Sequence, residues 1–289
     1  MGAEKARLSI RPALVVSALL VSLAGAGTLA QAGFPYDVPD KFKFQIGGIS
    51  AQLTTQGAVG RTDGAVGAFV SLEDTFDLPI RKSTWDAQGY WRFSEKGYVD
   101  FGYFSLQREA AHIIEQDVSW GDFIFLADGE VRAKFDSSFG YAAYRHDFLH
   151  LEQVRISGSA GFSYLQIKAG LSAEGSVTDQ DGNPVSGEVS EEGKVNFPVP
   201  LLGLQLDWAL TKHTAIMMYT RHLYINVGDF RGGVSQSAVF YEWYAARHFG
   251  LGGGISNYRI NIKNYTSGDK TAKFNYDVSG VELYFKFPF

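Results

Sequence analysis

The stretch Val281–Phe289, which reads VELYFKFPF, decides the fold of this chain. Successive side chains of a β-strand point to opposite faces, so one face of this stretch is apolar and the other is mostly polar. A strand of a transmembrane β-barrel needs this division, because one face meets lipid and the other faces the lumen. The apolar face is large and aromatic, and it consists of Val281, Leu283, Phe285, Phe287 and Phe289.

This ending resembles the closing strand of Gram-negative outer-membrane proteins, which typically finish on a C-terminal Phe, as Phe289 does here. The resemblance implies an integral barrel in the outer membrane, surrounded by outer-membrane lipid and lipopolysaccharide. It also implies that the barrel-assembly machinery is a partner, which engages the C-terminal strand.

The first 32 residues have the pattern of a cleaved secretory signal peptide. Lys5, Arg7 and Arg11 form a positive segment, an apolar run follows, and residues 30–32 (Ala-Gln-Ala) fit the small-x-small cleavage rule. The alternative is a membrane helix, but the run 13–24 is shorter than the roughly 20 apolar residues that span a bilayer. We therefore predict a signal peptide over residues 1–32 and one barrel domain over residues 33–289.

Composition excludes several classes of protein. The chain has a net charge of -5 and no basic patch of the kind that binds nucleic acid. It has no Cys, which removes disulfides, zinc-thiolate sites and thiol nucleophiles. The 15% of aromatic residues and the 33 Gly suit a barrel with interfacial aromatic girdles and a crowded interior.

Alternation of apolar and polar residues in segments of about ten residues predicts an all-β, antiparallel, up-and-down transmembrane β-barrel. We predict ten strands, with eight as the main alternative and twelve as a further one. The predicted strands are Phe42–Thr54, Ser83–Phe93, Tyr98–Arg108, Val131–His146, Gln153–Ala169, Lys194–Leu210, Thr214–Val227, Val234–Phe249, Leu251–Lys263 and Lys270–Phe287.

Predicted turn lengths alternate between short and long. The short connections are Ser94–Gly97, Asp147–Glu152, Thr211–His213 and one around Gly250, and the long ones are Thr55–Lys82, Glu109–Glu130, Gly170–Gly193, Gly228–Gly233 and Asn264–Asp269. Outer-membrane barrels have short periplasmic turns and longer extracellular loops, so this alternation predicts that both termini are periplasmic. The connection Thr55–Lys82 is the weak point, because Gly67–Leu72 has the composition of a strand. An additional spanning strand would make the count odd, so we interpret Gly67–Leu72 as the return arm of an extracellular hairpin.

If the apolar faces meet lipid, the charged residues of the strands collect on the inward face. Six acidic and five basic residues are predicted there, and this near balance favours mutual pairing over an open pore lined by a charge ring. The predicted lumen set is Asp86, Arg92, Asp100, Arg108, Lys134, Asp136, Arg155, Asp207, Glu242, Glu282 and Lys286.

The sequence offers no persuasive catalytic, metal or cofactor site. Catalysis needs a nucleophile or water beside an oriented base, and only His222 lies well inside a predicted strand, whereas His146, His150, His213 and His248 fall at or beside the short turns. The loop that begins at Asp179 has alternating acidic residues, but an EF-hand would need Glu where Ser190 stands. We therefore predict a non-enzymatic protein with no cofactor.

The apolar segment His112–Leu126 is unusual for an outer loop. The simpler interpretation is that it packs on the loop around Phe69 and Leu72, and the alternative is a site for an apolar ligand or a surface partner. The whole mature chain resembles the small outer-membrane barrels of the OmpA and OmpW types. From this resemblance we predict that the protein is a structural barrel or a narrow channel for small solutes. A surface binding or adhesion module is the alternative, and a lipid-modifying enzyme or protease is a further one.

Overall fold

The computed structural model describes residues 41–61, 69–228, 230–267 and 270–289. The signal peptide predicted over residues 1–32 lies outside the described residues. One short helix, α1 (Leu72–Phe76), accompanies fourteen strands in the described part of the chain. The strands are β1 (Phe42–Arg61), β2 (Val70–Ser71), β3 (Arg81–Arg92), β4 (Gly97–Ile113), β5 (Val118–Trp120), β6 (Phe123–Phe125), β7 (Glu130–His150), β8 (Val154–Glu174), β9 (Val177–Asp179), β10 (Glu188–Thr211), β11 (Thr214–Val227), β12 (Phe230–Ala246), β13 (Phe249–Ser267) and β14 (Lys270–Pro288).

Ten long strands form one antiparallel ring. They pair in the order β14-β13-β12-β11-β10-β8-β7-β4-β3-β1, and β1 pairs with β14 to close the ring. The predicted ten-stranded up-and-down barrel is therefore confirmed, and the alternatives of eight and twelve strands are wrong.

None of the helices in the described ranges is long and apolar enough to cross a membrane.

The strands tilt strongly against the barrel axis. A path of directly paired residues that starts at Thr54 of β1 passes once around the ring and returns to β1 at Phe42, a displacement of 12 residues. With ten strands and ordinary strand spacings, this displacement corresponds to a tilt of about 40°.

The two ends of the barrel differ in structure. Phe42 and Phe289 exchange backbone hydrogen bonds of 3.1 and 2.8 Å at one end, here called the terminal end. The other end, here called the loop end, carries the connections that follow β1, β4 and β8. β10 has 24 residues, and β7 and β8 have 21 each, whereas about 9–11 residues cross a bilayer. About half or more of each of these strands therefore lies beyond the part of the wall that a membrane covers, here called the belt.

Two predicted long connections are in fact tight. β11 ends at Val227 and β12 begins at Phe230, while β13 ends at Ser267 and β14 begins at Lys270. Both strand pairs continue their ladders to these ends. The prediction of loops at Gly228–Gly233 and Asn264–Asp269 was wrong, because polar residues beyond the belt continue the strands instead of forming loops.

The barrel wall has an insertion where β3 stops short. β3 pairs with β1 only up to Arg81, beyond which β2 pairs with Gln56 and Gly57 of β1. The predicted return arm therefore exists at Val70–Ser71, but α1 begins at Leu72, and residues 67 and 68 lie outside the described part. A separate small sheet, β5-β6-β9, covers the loop end.

The C-terminal strand presents its aromatic face outward, as predicted. Val281, Leu283, Phe285 and Phe289 are 55%, 69%, 51% and 60% exposed. Other large apolar side chains share this outer belt, and they include Trp85, Trp91, Phe162, Leu202, Leu204, Tyr241, Trp243 and Ile255.

Candidate functional site

The barrel lumen is the candidate site, and it changes from polar to apolar along its length. In β10 the inward residues near the terminal end are Gln205 and Asp207, whereas Val195 and Val199, nearer the loop end, are fully buried. The outward face changes in the opposite sense, from exposed Leu204 to charged residues. The two halves of β10 therefore differ in which face is apolar. In the half near the terminal end the apolar side chains face outward, whereas in the half near the loop end water surrounds the wall and the apolar side chains face inward.

A cluster around Arg145 fills the lumen near the terminal end. Its guanidinium Nε donates to both carboxylate oxygens of Asp100, at 3.1 and 2.9 Å. Asp147 lies 3.5 Å from Arg145 and 3.2 Å from Arg155. Tyr98 donates to Asp147 at 2.9 Å, and its ring lies 4.0 Å from the Arg145 guanidinium. All five side chains are buried, so these charges neutralise one another within the lumen.

A second buried cluster surrounds Glu242. Lys286 forms an ion pair and hydrogen bond with this carboxylate. Tyr284 and Tyr244 donate their hydroxyl protons to its two oxygens, at 2.8 and 2.9 Å. Lys43 is buried nearby against the ring of Tyr90, with Nζ 4.7 Å from the ring centroid. This cluster and the cluster around Arg145 are called the terminal tier below.

A middle tier lies between the polar and apolar parts of the lumen. Asp86, Glu282, Gln88, Gln236 and Tyr141 line a cavity of about 20 Å³ together with apolar side chains. Gln88 donates to Asp86 at 3.1 Å, and Ser256 donates to Glu282. The other oxygen of each carboxylate has no hydrogen-bond partner among the described residues.

An inserted segment closes the lumen near the loop end. Arg108 pairs with Glu73 of α1 at 2.6 Å and also donates to the Thr55 hydroxyl. The second Glu73 oxygen accepts the Thr55 backbone N–H at 2.8 Å. Phe76 of α1 is fully buried, and the Arg108 guanidinium lies 5.0 Å from the Phe135 ring. These contacts and the apolar core around them are called the loop tier.

The structure places most of the predicted charge set in the lumen, but not as one network. Asp86 and Glu282 lie in the middle tier and Arg108 in the loop tier. Asp207 faces inward beside Gln205, which donates to it at 2.9 and 3.0 Å. The predicted residues of the terminal tier are Asp100, Arg155, Glu242 and Lys286.

Two members of the predicted set lie on the outer face, and a third, Arg92, lies at the terminal edge of the barrel. Lys134 and Asp136 pair with each other at 3.6 Å on the outer face of β7, opposite to buried Phe135. Their assignment to the lumen was wrong, because the loop half of β7 is apolar inside. Arg92 lies at the end of β3, where it donates to the carbonyls of Ser94 and Glu95.

The sequence interpretation missed several lumen charges. Arg145 and Asp147 alternate with outward residues beyond inward Phe139, so a correct face for β7 would have found both. Arg221 faces Gln236 and Tyr219 on a strand whose faces are both mixed. Glu73 lies in the inserted segment, and no strand pattern could have indicated it.

The histidines do not assemble a catalytic group in the described part of the chain. His222 faces outward beside Thr220, whose hydroxyl lies 2.5 Å from its Nε2. His146 contacts Tyr144, and His248 contacts the Pro288 carbonyl. Within the described ranges, no three His, Asp or Glu side chains are grouped to hold a metal ion.

The segment His112–Leu126 packs into the core of the loop end. Ile114, Trp120 and Phe125 are fully buried in the same cluster as Leu72. Phe69 is 47% exposed instead and does not join this core.

No protein-family model and no curated protein sequence matches the chain. Among solved structures, the outer-membrane protease OmpT from Escherichia coli gives a TM-score of 0.55 at 11% identity, covering 91% of this chain and 99% of OmpT. The toluene transporter TodX from Pseudomonas putida gives 0.35 at 9%, covering 90% and 94%. OprG from Pseudomonas aeruginosa gives 0.34 at 13%, covering 86% and 97%. The two lower scores are too low to inform on this chain, and the likeness to OmpT shows the fold alone: an outer-membrane β-barrel.

Proposed function

We propose that this protein is a non-enzymatic, closed barrel of the Gram-negative outer membrane, with both termini in the periplasm and its loop end outside the cell. The barrel fold and the outward aromatic belt support this location. The strand that ends at Phe289 closes the ring with β1, which supports a role of the C-terminal strand in assembly.

The observation that carries the proposal is that every level of the lumen is filled. Paired charges occupy the terminal tier, and the middle tier encloses only about 20 Å³. In the loop tier, α1 and its ion pair with Arg108 close the lumen. A ten-stranded barrel is only slightly wider than one that side chains fill completely, so these contacts suffice to block an aqueous path.

A closed barrel that projects well beyond its belt is suited to structural support and surface binding. Its loop end is a packed body, because β5, β6 and β9 cover the apolar core there. Outward charges of both signs surround this body, including the pairs Lys134–Asp136 and Lys194–Glu192. We expect these outward charges to contact water and the polar groups of lipopolysaccharide.

Single-channel recording in planar bilayers tests the closed lumen. We expect no discrete openings from refolded protein whose folding is verified by heat-modifiable migration on a gel. An open porin inserted by the same protocol is the positive control. Reproducible openings of the wild-type protein would refute the proposal.

A narrow, gated channel is the second candidate, and the way the loop tier is closed favours it. α1 is not part of the ring, and the ion pair between Glu73 and Arg108 fastens it to the wall. If α1 acts as a gate, Glu73→Gln gives openings that the wild-type protein lacks. Silent recordings from a folded Glu73→Gln protein exclude this gate.

A further inference from the structure

The outer wall of the barrel carries a polar notch at the edge of the belt, on β11, β12 and β13. On these strands the outward apolar face ends at Met218, Val239 and Ile255, and the next two outward residues of each strand are polar. Leu204 and Leu202 of β10 lie directly opposite two of these polar residues, so the notch begins beside side chains that still belong to the belt. The notch consists of Thr220, His222, Ser235, Ser237 and Asn257.

A basic patch adjoins the notch, farther from the belt. Arg231 Nε donates to the Tyr224 hydroxyl at 3.2 Å, and Lys263 Nζ lies 5.7 Å from the centroid of the same ring. A Cβ atom at Gly233 would lie 3.0 Å from Tyr224 Cδ2, so this glycine lets the ring lean across β12 toward β13. Arg259, on the same strand as Lys263, completes the patch.

The positive charge of the patch exceeds the negative charge beside it. Arg259 pairs with Asp277 at 2.7 Å, but Arg231 and Lys263 form no ion pair with any acid that the structure describes. On the wall formed by β4, β7, β8 and β10, three outward cations each pair with an acid, namely Arg132 with Glu109, Lys134 with Asp136, and Lys194 with Glu192. The basic patch therefore suits an anionic group.

We propose that the notch and the basic patch together bind the phosphorylated sugar headgroup of an outer-leaflet lipid. The guanidinium and ammonium groups of the patch form charge-assisted hydrogen bonds with phosphate oxygens. The hydroxyl, amide and imidazole groups of the notch donate to and accept from sugar hydroxyls. The acyl chains lie against Leu202, Leu204 and Ile255 at the edge of the belt, where these side chains are exposed.

The position of the notch distinguishes a lipid from a soluble anion. Polar groups at the edge of the belt lose water to the surrounding acyl chains, which is costly unless they find hydrogen-bond partners. His222 contacts Thr220, and Asn257 donates to the Ser279 hydroxyl at 2.8 Å. The hydroxyls of Ser235 and Ser237 make no hydrogen bond with the residues that the structure describes. A ligand that covers the notch therefore combines phosphate, hydroxyl groups and hydrocarbon in one molecule.

The lipid site rests on the proposed location of the barrel in the outer membrane, with its loop end outside the cell. Lipid binding in detergent micelles does not depend on the orientation of the barrel or on whether its lumen conducts ions. A negative result there would overturn the lipid site and leave the closed barrel standing, whereas channel openings would do the reverse.

Native mass spectrometry of the refolded protein, released from micelles, counts the bound lipid. The probe is lipid A, an acylated diglucosamine with two phosphates, and phosphatidylglycerol provides an anionic lipid without sugar. We expect one lipid A molecule per barrel, retained in preference to phosphatidylglycerol and not displaced by excess inorganic phosphate. Equal retention of the two lipids, or displacement by phosphate, would overturn the proposal.

Arg231→Gln combined with Lys263→Gln removes both cations that lack an acidic partner among the described residues. The affinity for lipid A should fall on the order of tenfold or more, because each basic residue near a membrane surface strengthens the binding of anionic lipid. Lys168→Gln combined with Lys194→Gln is the matched control, since these outward lysines lie directly opposite each other on β8 and β10 and carry the same charge. An equal loss in the control would show that only net charge matters, and the proposal would fail.

Thr220→Val combined with His222→Leu replaces the part of the notch on β11 by side chains that extend the belt. The affinity for lipid A should fall on the order of tenfold, because two hydrogen-bonding groups are lost, while the retention of phosphatidylglycerol stays the same. Heat-modifiable migration on a gel verifies that the variant is folded. A folded variant that binds lipid A as tightly as the wild-type protein would refute the role of the notch.

Discussion

At the scale of single residues, Tyr284 connects the wall of the barrel to its charges. Its hydroxyl donates to Glu242, while its side chain lies over Gly47 on one neighbouring strand and Gly252 on the other. A Cβ atom at either glycine would overlap the backbone or ring at position 284. Gly252 is therefore required by the close approach of the Tyr284 ring, and Gly47 by the close approach of the Leu283 carbonyl and the Tyr284 Cβ atom.

Gly252→Val should displace the Tyr284 ring and break its hydrogen bond to Glu242. Overpacking of this kind costs about 1–3 kcal/mol, measured by urea unfolding in lipid vesicles. Gly253→Val is the matched control, because this neighbour faces outward and its Cβ would crowd only the flexible end of the Leu283 side chain, with the Glu282 carbonyl at an ordinary contact distance. The control should stay within about 0.5 kcal/mol. Equal losses in the two variants would contradict the role of Tyr284.

Lys286→Met should destabilise the barrel by about 3–5 kcal/mol, because it leaves the Glu242 carboxylate buried without its cation. Adding Glu242→Gln should restore part of this loss, since the second change removes the stranded charge. The free energy of unfolding of the two single variants and the double variant forms the required cycle. Strictly additive losses would show that the pair is not coupled.

Alternation along strands predicted the inward position of Glu242 and Lys286 but misplaced Lys134 and Asp136. The rule that apolar faces meet lipid holds only within the belt. Beyond it, water surrounds the outer face and the apolar residues turn inward, as Phe135 does. Sequence alone does not reveal where along a strand this change occurs, because the alternation itself continues without interruption.

At the scale of elements, α1 has local reasons to form. Ser71 caps its start by accepting the Asp74 N–H at 3.3 Å, and two acidic residues lie in its first turn. Asp77 ends it in the left-handed conformation, with φ of 54°. A helix of five residues is not stable alone, so the burial of Leu72 and Phe76 must hold it in place.

Phe76→Ala should remove most of this anchoring and cost about 3–5 kcal/mol, since the side chain is fully buried. Asp77→Gly in the same segment should be neutral or stabilising by up to about 1 kcal/mol, because glycine adopts the left-handed conformation without strain. Unfolding in urea measures both changes. A loss below about 1 kcal/mol for Phe76→Ala would mean that α1 is not packed into the loop tier.

The last residue of β9, Asp179, is a titrating group outside the belt. The side chain and backbone of Asn183 donate to Asp179 at 2.8 Å, and these hydrogen bonds lower the pKa of Asp179 below its ordinary value of 3.8. A lowered pKa stabilises the loop above pH 3.8, and this contribution is lost as the pH falls through the folded-state pKa. Asn183→Ala should raise the pKa of Asp179 toward its ordinary value in an NMR titration. An unchanged pKa would show that Asn183 does not stabilise the charged carboxylate.

The existence of all ten spanning strands was predictable from the sequence, whereas their ends at the loop side were not. Turn residues such as Gly228 suggested loops, yet tertiary pairing carried β11 and β12 to a tight connection. The inserted helix was also unpredictable, because its place depends on β3 ending at Arg81 in the assembled wall.

At the scale of the whole molecule, β1 and β14 close the ring, and the register of this strand pair defines the closed barrel. Ile46 of β1 lies opposite Phe285 of β14, while Leu283 lies opposite Gly48. The chain has no Cys, so a pair of introduced cysteines reports on this register without background.

Ile46→Cys combined with Phe285→Cys should form a disulfide under mild oxidation, because directly opposed strand residues have Cα atoms close enough for the bond. Ile46→Cys with Leu283→Cys is the control, and its diagonal spacing is too large for efficient bonding. Gel migration with and without reductant measures both. A disulfide in the control pair alone would show that the register is shifted.

The pairing of β1 with β14 also constrains the order in which the barrel assembles. Among the strands that the structure describes, β1 is synthesised first and β14 last, and the two pair along their whole lengths. Until β14 arrives, β1 holds one edge open, and the acids and bases of the lumen remain in contact with water. Glu242 on β12 and Lys286 on β14 belong to the last strands made, so their pairing cannot precede the arrival of β14. We therefore expect the charges of the lumen to stay hydrated until β14 pairs with β1, and to lose that water when the ring closes.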